Sequence, residues 1–459
     1  MPGWRELFSH GLGRTTIGLL LMETMVAIQV LVTVAVLPAV VSDLGGIRLY
    51  GVALAASQVA TVVVLPFTGR LVGRWGLRSV FYASVCAFVA GSAVMFTAPV
   101  ISVFVGGILI QGAGGGAMYA LLLAILTRRF ALRLRPRIYA ALAIAWAVPG
   151  LLGPLYGGFV ASTLGWRWAF ALILPIVIPA VWMLRPSLRN PDVGRDSPDG
   201  QLDQTARTLT LVVFGVSAVL LLAALAIGGW WGLLVSVPAA VLGIGALRSI
   251  LPAGSFRADR GLPAVIASGF LANASFYSVE GFLPAFLTAV AAMPLVAADL
   301  VVTCGVLAWV AGSWIQSRLA ARWVLRRIAK VGEALMLAGV GGVLTGVLTT
   351  WSPLVYLSWA FVGLGMGMTY PVIGVLATDL ATPGKEVVTL AQYQLADVLG
   401  SAVGPGLVGF AVIAVTVRGL DLRGGLIIGF SATCLLLLVG LVVSTRLPAT
   451  HARGTRNEL

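Results

Sequence analysis

The chain has 459 residues, 59% hydrophobic and 10% charged, with a mean hydropathy of +1.02 and a formal net charge of +14. That balance excludes a soluble globular protein and marks a polytopic membrane protein. The 30 Lys and Arg are dispersed in short segments, so there is no concentrated basic face for nucleic acid.

Fourteen apolar stretches are predicted as membrane-spanning helices, at 16–41, 49–68, 79–97, 101–126, 138–162, 168–184, 206–228, 231–250, 262–288, 294–317, 329–350, 353–378, 387–416 and 424–445. Each is near the ~20 residues that cross the hydrocarbon core. Continuous runs such as 426–443 lack the alternation of a membrane barrel. The first stretch carries Glu23 and Gln29 and is too long for a cleavable signal. The second holds Gln58 and leads into Gly69-Arg70-Leu71-Val72-Gly73-Arg74-Trp75-Gly76-Leu77-Arg78. The fourth contains Ile108, Gln111-Gly112 and a glycine run ending in Met118-Tyr119; five arginines between 128 and 137 follow it. The fifth holds Trp146, Gly153-Pro154 and Gly157-Gly158, and the sixth opens on Trp166-Arg167-Trp168.

The Pro-, Gly- and Asp-rich stretch 186–205 reads as a flexible linker before the seventh and eighth stretches. A second short linker, 252–261, precedes the ninth, which carries Asn273, Tyr277 and Glu280 and ends in Leu283-Pro284-Ala285. The tenth holds Trp309 and is followed by Arg318-Leu319-Ala320-Ala321-Arg322-Trp323-Val324-Leu325-Arg326. The twelfth contains Gly363, Gly365, Gly367, Met368 and Tyr370; the thirteenth contains Gln394, Asp397, Gly400, Gly404-Pro405 and Gly409.

Taken in order, these segments say the same thing twice. Residues 70–78 are echoed by 318–326, the run ending at Tyr119 by the run ending at Tyr370, and 150–158 by 400–409. Many secondary transporters are built of such repeats, which rock about a site held between them. The predicted fold is therefore all-α: two pseudo-symmetric six-helix bundles and two additional helices, fourteen transmembrane helices in all. The expected divisions are a bundle at 1–184, a cytoplasmic linker at 185–205, two further helices at 206–251, a bundle at 262–446 and a tail at 447–459. With both termini cytoplasmic, every Lys and Arg except Arg48, Arg167, Arg418 and Arg423 lies on the inner side, as the positive-inside rule requires. Scarce Lys beside Arg, with abundant Ala, Gly and Val, is the composition of a high-GC bacterium, which points to the inner (plasma) membrane.

The chemistry rests on three acids inside apolar runs, Glu23, Glu280 and Asp397. An ionised group there costs several kcal/mol unless it is paired, hydrated or protonated. Such a carboxyl can carry a proton or meet a cationic ligand; a carboxyl that only holds the bundle together is the competing reading. Asp299 and Asp379, near span ends, read as interfacial or capping groups. The expected lining is Gln29, Gln58, Met118, Tyr119, Trp146, Asn273, Tyr277, Trp309, Met368, Tyr370 and Gln394, a polar minority on an apolar wall that suits a lipophilic or amphipathic ligand. Helix packing is the alternative for each aromatic and Met, as it is for each glycine. Gly384-Lys385-Glu386 lacks the spacing of a phosphate loop, so an ion gradient is the expected energy source, proton or sodium. Cys86, Cys304 and Cys434 lie in separate spans and His10 and His451 are terminal; no disulfide, metal site or cofactor is expected.

The motifs after the second span, in the fourth and fifth spans and at the start of the sixth, with the endings Leu37-Pro38-Ala39 and Leu283-Pro284-Ala285, together resemble the major facilitator superfamily. Within it the chain is similar to the fourteen-span drug:proton antiporters. The resemblance implies conformational gating by Gly69, Arg70, Arg74, Gly76, Arg78, Arg318 and Arg322. It implies an antiporter signature at Gly153, Pro154, Gly157, Gly158, Gly404 and Pro405. It also implies a central cavity lined by spans one, four, nine and twelve. Two positions depart from the pattern: Gly73 replaces an acid that helps latch the halves, and Ile108 replaces an arginine associated with proton coupling. The expected function is export of lipophilic or amphipathic compounds by proton antiport through alternating access, in a monomer whose other partners are protons and membrane lipids. A lipid translocator with weak or no coupling is the second reading. A non-transporting receptor or assembly factor on a carrier fold is the third, and no reading makes the chain an enzyme.

Overall fold

The computed structural model describes residues 4–9, 12–130, 134–188, 201–227, 229–320, 322–381, 386–416, 419 and 421–450. Most of the expected linker and tail, with Gly384, Lys385 and Arg418, lies outside them, as do the side chains of Trp146 and Pro154. The described residues form helices, turns and loops, with no strand among them.

After a single turn at Trp4–Leu7, helix α1 spans Gly13–Leu44. Tyr50–Thr97 is two helices, α2 (50–75) and α3 (77–97), because Gly76 sits at φ 80° and ψ 153°, a left-handed conformation a side chain would strain. Next come α4 (Ile101–Arg129) and α5 (Arg135–Thr163). α6 (Trp166–Ala171) and α7 (Val177–Leu184) follow, separated at a 3-10 turn containing Pro175. Then come α8 (Gln201–Ile227) and α9 (Gly229–Ile250). The series continues with α10 (Leu262–Glu280), α11 (Leu283–Ala289), α12 (Leu295–Leu319), α13 (Leu325–Thr349), α14 (Ser352–Asp379), α15 (Glu386–Thr416) and α16 (Leu422–Ser444). Among the described residues, eleven helices or helix pairs are long and apolar enough to cross a membrane. α5, α8 and α9 stand at three further predicted stretches. Ile178, Trp231, Val241 and Leu435 are exposed, as lipid-facing side chains are.

The chain divides into two compact units, one of residues 1–46 and 59–215, the other of 47–58 and 216–459. In the first, α5 lies against α1, and a Cβ at Gly153 or Gly157 would come within 3.2 Å of Leu31 or 3.0 Å of Ala35. α4 presses on α3, where a Cβ at Gly114 would meet the Phe88 amide at 2.5 Å, and on α2, where one at Gly116 would meet Thr61 Cα at 2.8 Å. In the second unit, α15 lies against α10 through Gly400 and Gly404, α14 against α13 through Gly365 and Gly332, and α14 against α12 through Gly363, Gly367, Gly305 and Gly312. The echoed glycines are thus contact points between corresponding helix pairs. Without a hydrophobic drive between helices in lipid, close backbone approach is what holds such pairs together.

The Trp-Arg-Trp segment closes one end of the first unit. Arg167 Nη1 donates to Asp43 Oδ2 at 2.9 Å and Nη2 to the Ala98 carbonyl at 3.1 Å, while Trp166 Nε1 donates to the same Asp43 oxygen at 3.0 Å. This ties α1, the turn after α3 and α6 together. Arg167 and Asp43 are half-exposed, so Arg167→Ala is expected to lower stability by only about 1 kcal/mol. The thermal midpoint of the detergent-solubilised variant checks this.

Segment 47–58 packs within the second unit. The buried Tyr50 hydroxyl donates to the Gly281 carbonyl at 3.0 Å, its ring lies 5.1 Å from Phe282, and Gly51 meets Gly409 backbone to backbone. Gly281 and Phe282 are free to receive Tyr50 because α10 ends at Glu280 and Pro284, lacking an N–H, restarts the helix as α11.

Candidate functional site

The second unit gathers most of its predicted site residues around one acid. Asn273 and Tyr277 are four residues apart on α10, with Glu280 three further on, so one helical face carries all three. Asn273 Nδ2 donates to Asp397 Oδ1 of α15 at 2.5 Å and to the Gly269 carbonyl at 3.0 Å. Tyr370 of α14 donates its hydroxyl to Asp397 Oδ2 at 3.2 Å. Around this triad stands an aromatic wall. Trp309 lies 5.7 Å from Tyr370 and 5.1 Å from Phe276, and Phe276 lies 4.9 Å from Trp359, ring centre to ring centre. Glu280 is buried, and neither it nor Asp397 has a cationic side chain in ion-pair reach among the described residues.

Two neutral donors on Asp397 allow it to be ionised without a permanent counter-charge. A bound proton or a cationic ligand can then supply the missing positive charge, and the aromatic faces offer a cation–π surface beside it. Gln394, one turn before Asp397, is half-buried. Met368 is buried.

The first unit places its predicted residues on α1 and α4. Glu23 and Gln29 of α1 are both buried, and neither amide atom of Gln29 has a hydrogen-bond partner among the described residues. Met118 is fully buried, while Tyr119 beside it is half-buried. Gln58 is half-buried at the end of the segment belonging to the second unit. Gln111 turns to α3, donating to Ser92 Oγ at 2.7 Å, and Ile108 is buried.

The arginine motifs sit at helix ends. Gly69, Arg70 and Arg74 close α2, Gly76 is the break, and Arg78 opens α3 with its guanidinium 5.8 Å from the Tyr82 ring. In the second copy Arg318 stacks 3.7 Å over Trp314, and Arg322 stands in the turn before α13. Gly158 and Pro405 are buried inside α5 and α15.

Two buried acids add to the three that stand out in the sequence. Asp299, expected at the interface or as a cap, is 0% exposed, and neither oxygen has a hydrogen-bond partner among the described residues. It is the fifth residue of α12, beyond any capping position, and neighbouring elements cover it. Glu333 of α13 is 1% exposed and accepts from Ser268 of α10 at 2.8 Å. Ser444 of α16, beside it, turns its hydroxyl to the Leu441 carbonyl at 2.8 Å. A signal for Glu333 exists in its spacing to Met336, Val340, Val343 and Val347, the wholly buried stripe of α13.

Comparison with known proteins agrees with this architecture. Over 98% of its length the chain is 25% identical to a probable multidrug-efflux transporter of Mycobacterium tuberculosis, covering 96% of that protein. It is 25% identical to the multidrug transporter protein MdtP of Bacillus subtilis, across 81% of this chain and 70% of the relative. Among solved structures, a D-xylose-proton symporter superposes with a TM-score of 0.68 over 96% of this chain and 99% of the other, at 16% identity. A bacterial homologue of the lysosomal transporter Spinster superposes with a TM-score of 0.64 over 94% and 97%, at 13% identity. Both likenesses are of fold. The family model described as Major Facilitator Superfamily matches residues 19–405, and the chain is a multi-pass membrane transporter belonging to that superfamily, not an enzyme.

Proposed function

We propose that the protein exports lipophilic or amphipathic compounds, cationic or neutral, in exchange for protons by alternating access. The observation that carries this reading is Asp397 held by Asn273 and Tyr370 beside an aromatic wall, with Glu280 on the α10 face that carries Asn273 and, among the described residues, no cation in ion-pair reach of either acid. Substrate and proton compete for the negative charge of these carboxyls, so loading one favours release of the other. Glu23 supplies a third acid from α1. The multidrug-efflux relatives support the same substrate class. The protein works as a monomer with fourteen spans and cytoplasmic termini, in the inner (plasma) membrane of a bacterium. The echoed arginine turns and Gly-Pro helices serve its gating.

The experiment is substrate-induced proton movement in proteoliposomes under an imposed pH gradient, across cationic drugs, neutral drugs and lipids. Wild type is expected to dissipate the gradient with a cationic or neutral drug, and Glu280→Gln and Glu23→Gln are each expected to abolish that movement. Ile108, buried where the family carries arginine, favours a second reading, an uncoupled lipid translocator. Lipids or drugs that cross without proton movement, in wild type and both variants alike, would establish that second reading.

A further inference from the structure

We propose that the second unit binds the headgroup of a phospholipid that carries both a phosphate and a primary ammonium, phosphoethanolamine, at the end of α16. The 252–261 loop between α9 and α10 and the residues that follow α16 border a cavity of about 430 Å³ lined by Asp259, Arg260, Thr445 and Arg446. Residues Leu262–Ala289 and Leu422–Ser444 are each long and apolar enough to cross a membrane. A cavity at the start of the first and the end of the second therefore lies at the level of the headgroups.

The lining sets two cations beside two acceptors. Among the described residues neither Arg260 nor Arg446 is in an ion pair, and Asp259, next to Arg260 in the chain, is in none either. Arg446 is anchored by one nitrogen: Nη1 donates to the Arg257 carbonyl at 2.5 Å and the Ala258 carbonyl at 3.2 Å, which leaves Nε and Nη2 for a ligand. Ala258 offers that carbonyl from φ 50° and ψ 49°, a left-handed conformation uncommon for a residue with a side chain. Thr445 gives its hydroxyl proton to the Val442 carbonyl at 2.7 Å and keeps acceptor capacity. Two guanidinium groups suit a phosphate, and a carboxylate with a hydroxyl oxygen suits an ammonium that has hydrogens to give. A purely anionic headgroup would set its charge against Asp259, and a quaternary ammonium has no hydrogen to donate. Leu435, Leu438 and Val442 are exposed on one face of α16, with Thr445 and Arg446 one turn further on, so acyl chains have an apolar track that ends at the cavity. The site shares no residue with the Asp397 cluster and does not depend on which substrate is carried.

The test is native mass spectrometry of the full chain in detergent, titrated separately with dioleoyl phosphatidylethanolamine, phosphatidylcholine and phosphatidylglycerol. One phosphatidylethanolamine is expected to be retained about tenfold more tightly than either of the others, the worth of one charge-assisted contact. Arg260→Gln is expected to weaken that binding by about tenfold for the same reason. Asp259→Asn is expected to abolish the preference while phosphatidylglycerol binds as well as before or better. Lys330→Gln, the same loss of charge on α13 outside the cavity, is expected to bind as wild type does. Asp259 and Arg260 are exposed and Lys330 is half-buried, so all three variants should fold. Equal retention of the three lipids by wild type overturns the proposal, as does a preference for phosphatidylglycerol, which would make this a site for anionic lipid. A preference that survives both Arg260→Gln and Asp259→Asn overturns it too, as does one that Lys330→Gln weakens as much as Arg260→Gln. Binding is read without transport, so the export reading and this site can fail separately.

Discussion

Asp397→Asn is expected to abolish substrate-driven proton movement while leaving the protein folded and monodisperse. The amide has the shape of the acid but cannot gain or lose a proton in the working pH range. Its oxygen can accept from Asn273, and its nitrogen can donate to the Tyr370 hydroxyl, so both contacts of the native triad survive. Asp397→Ala keeps neither. It removes the acceptor that Asn273 and Tyr370 share and leaves Asn273 its bond to the Gly269 carbonyl, so a loss of about 1–3 kcal/mol is expected. The two variants should therefore be equally uncoupled but unequal in stability, the alanine melting lower in detergent. Tyr370→Phe removes one donor and retains the acid, so coupled transport is expected to persist with an altered pH profile. Coupled transport at the wild-type rate in Asp397→Asn would remove this residue from the proton path.

Gly404→Val is expected to cost about 3 kcal/mol or more, at or beyond the usual range for overpacking. A Cβ at this position would overlap the Ala274 carbonyl oxygen and approach Ala274 Cα at 3.0 Å, so α15 and α10 must separate. Because Asn273 and Asp397 reach each other across the same two helices, separation would also pull the triad apart. Gly341→Ala is the contrast. Nothing lies within 4 Å of a Cβ there, and in a helix the methyl group adds about 0.5–1 kcal/mol of stability by limiting backbone freedom. Thermal unfolding in detergent, read by size-exclusion recovery, should place the two glycines on opposite sides of wild type. Wild-type stability in Gly404→Val would mean that the α10–α15 approach is not a closely fitted contact.

The membrane helices were legible because hydropathy is a local property. A window of ~20 residues is enough to compute the free energy of leaving water, and no knowledge of neighbours is needed. The helix break at Gly76 falls between the second and third predicted stretches, whereas the break after Glu280 divides the ninth, which hydropathy gave as one continuous span. The echoed motifs indicated a duplication, and the structure gives their glycines corresponding contacts in both units. Site residues were harder. The acid, amide and aromatic types around Asp397 stood out as unusual for apolar helices, whereas Met118 and Met368, both buried, are apolar themselves and carry no such signal.

Sequence by itself determined that this chain is a helical membrane protein with motifs echoed along it and acids at Glu280 and Asp397 inside apolar runs. Tertiary structure alone decided which polar groups share a place: that Asn273 and Tyr370 grip Asp397 from two other helices, 124 and 27 residues away. It also decided that Asp299 and Glu333, which lie near span ends, are sealed from water. Burial is conferred by neighbours distant in the chain, whereas hydropathy belongs to each segment alone. Position along a span therefore reports depth in the membrane, not exposure within the bundle.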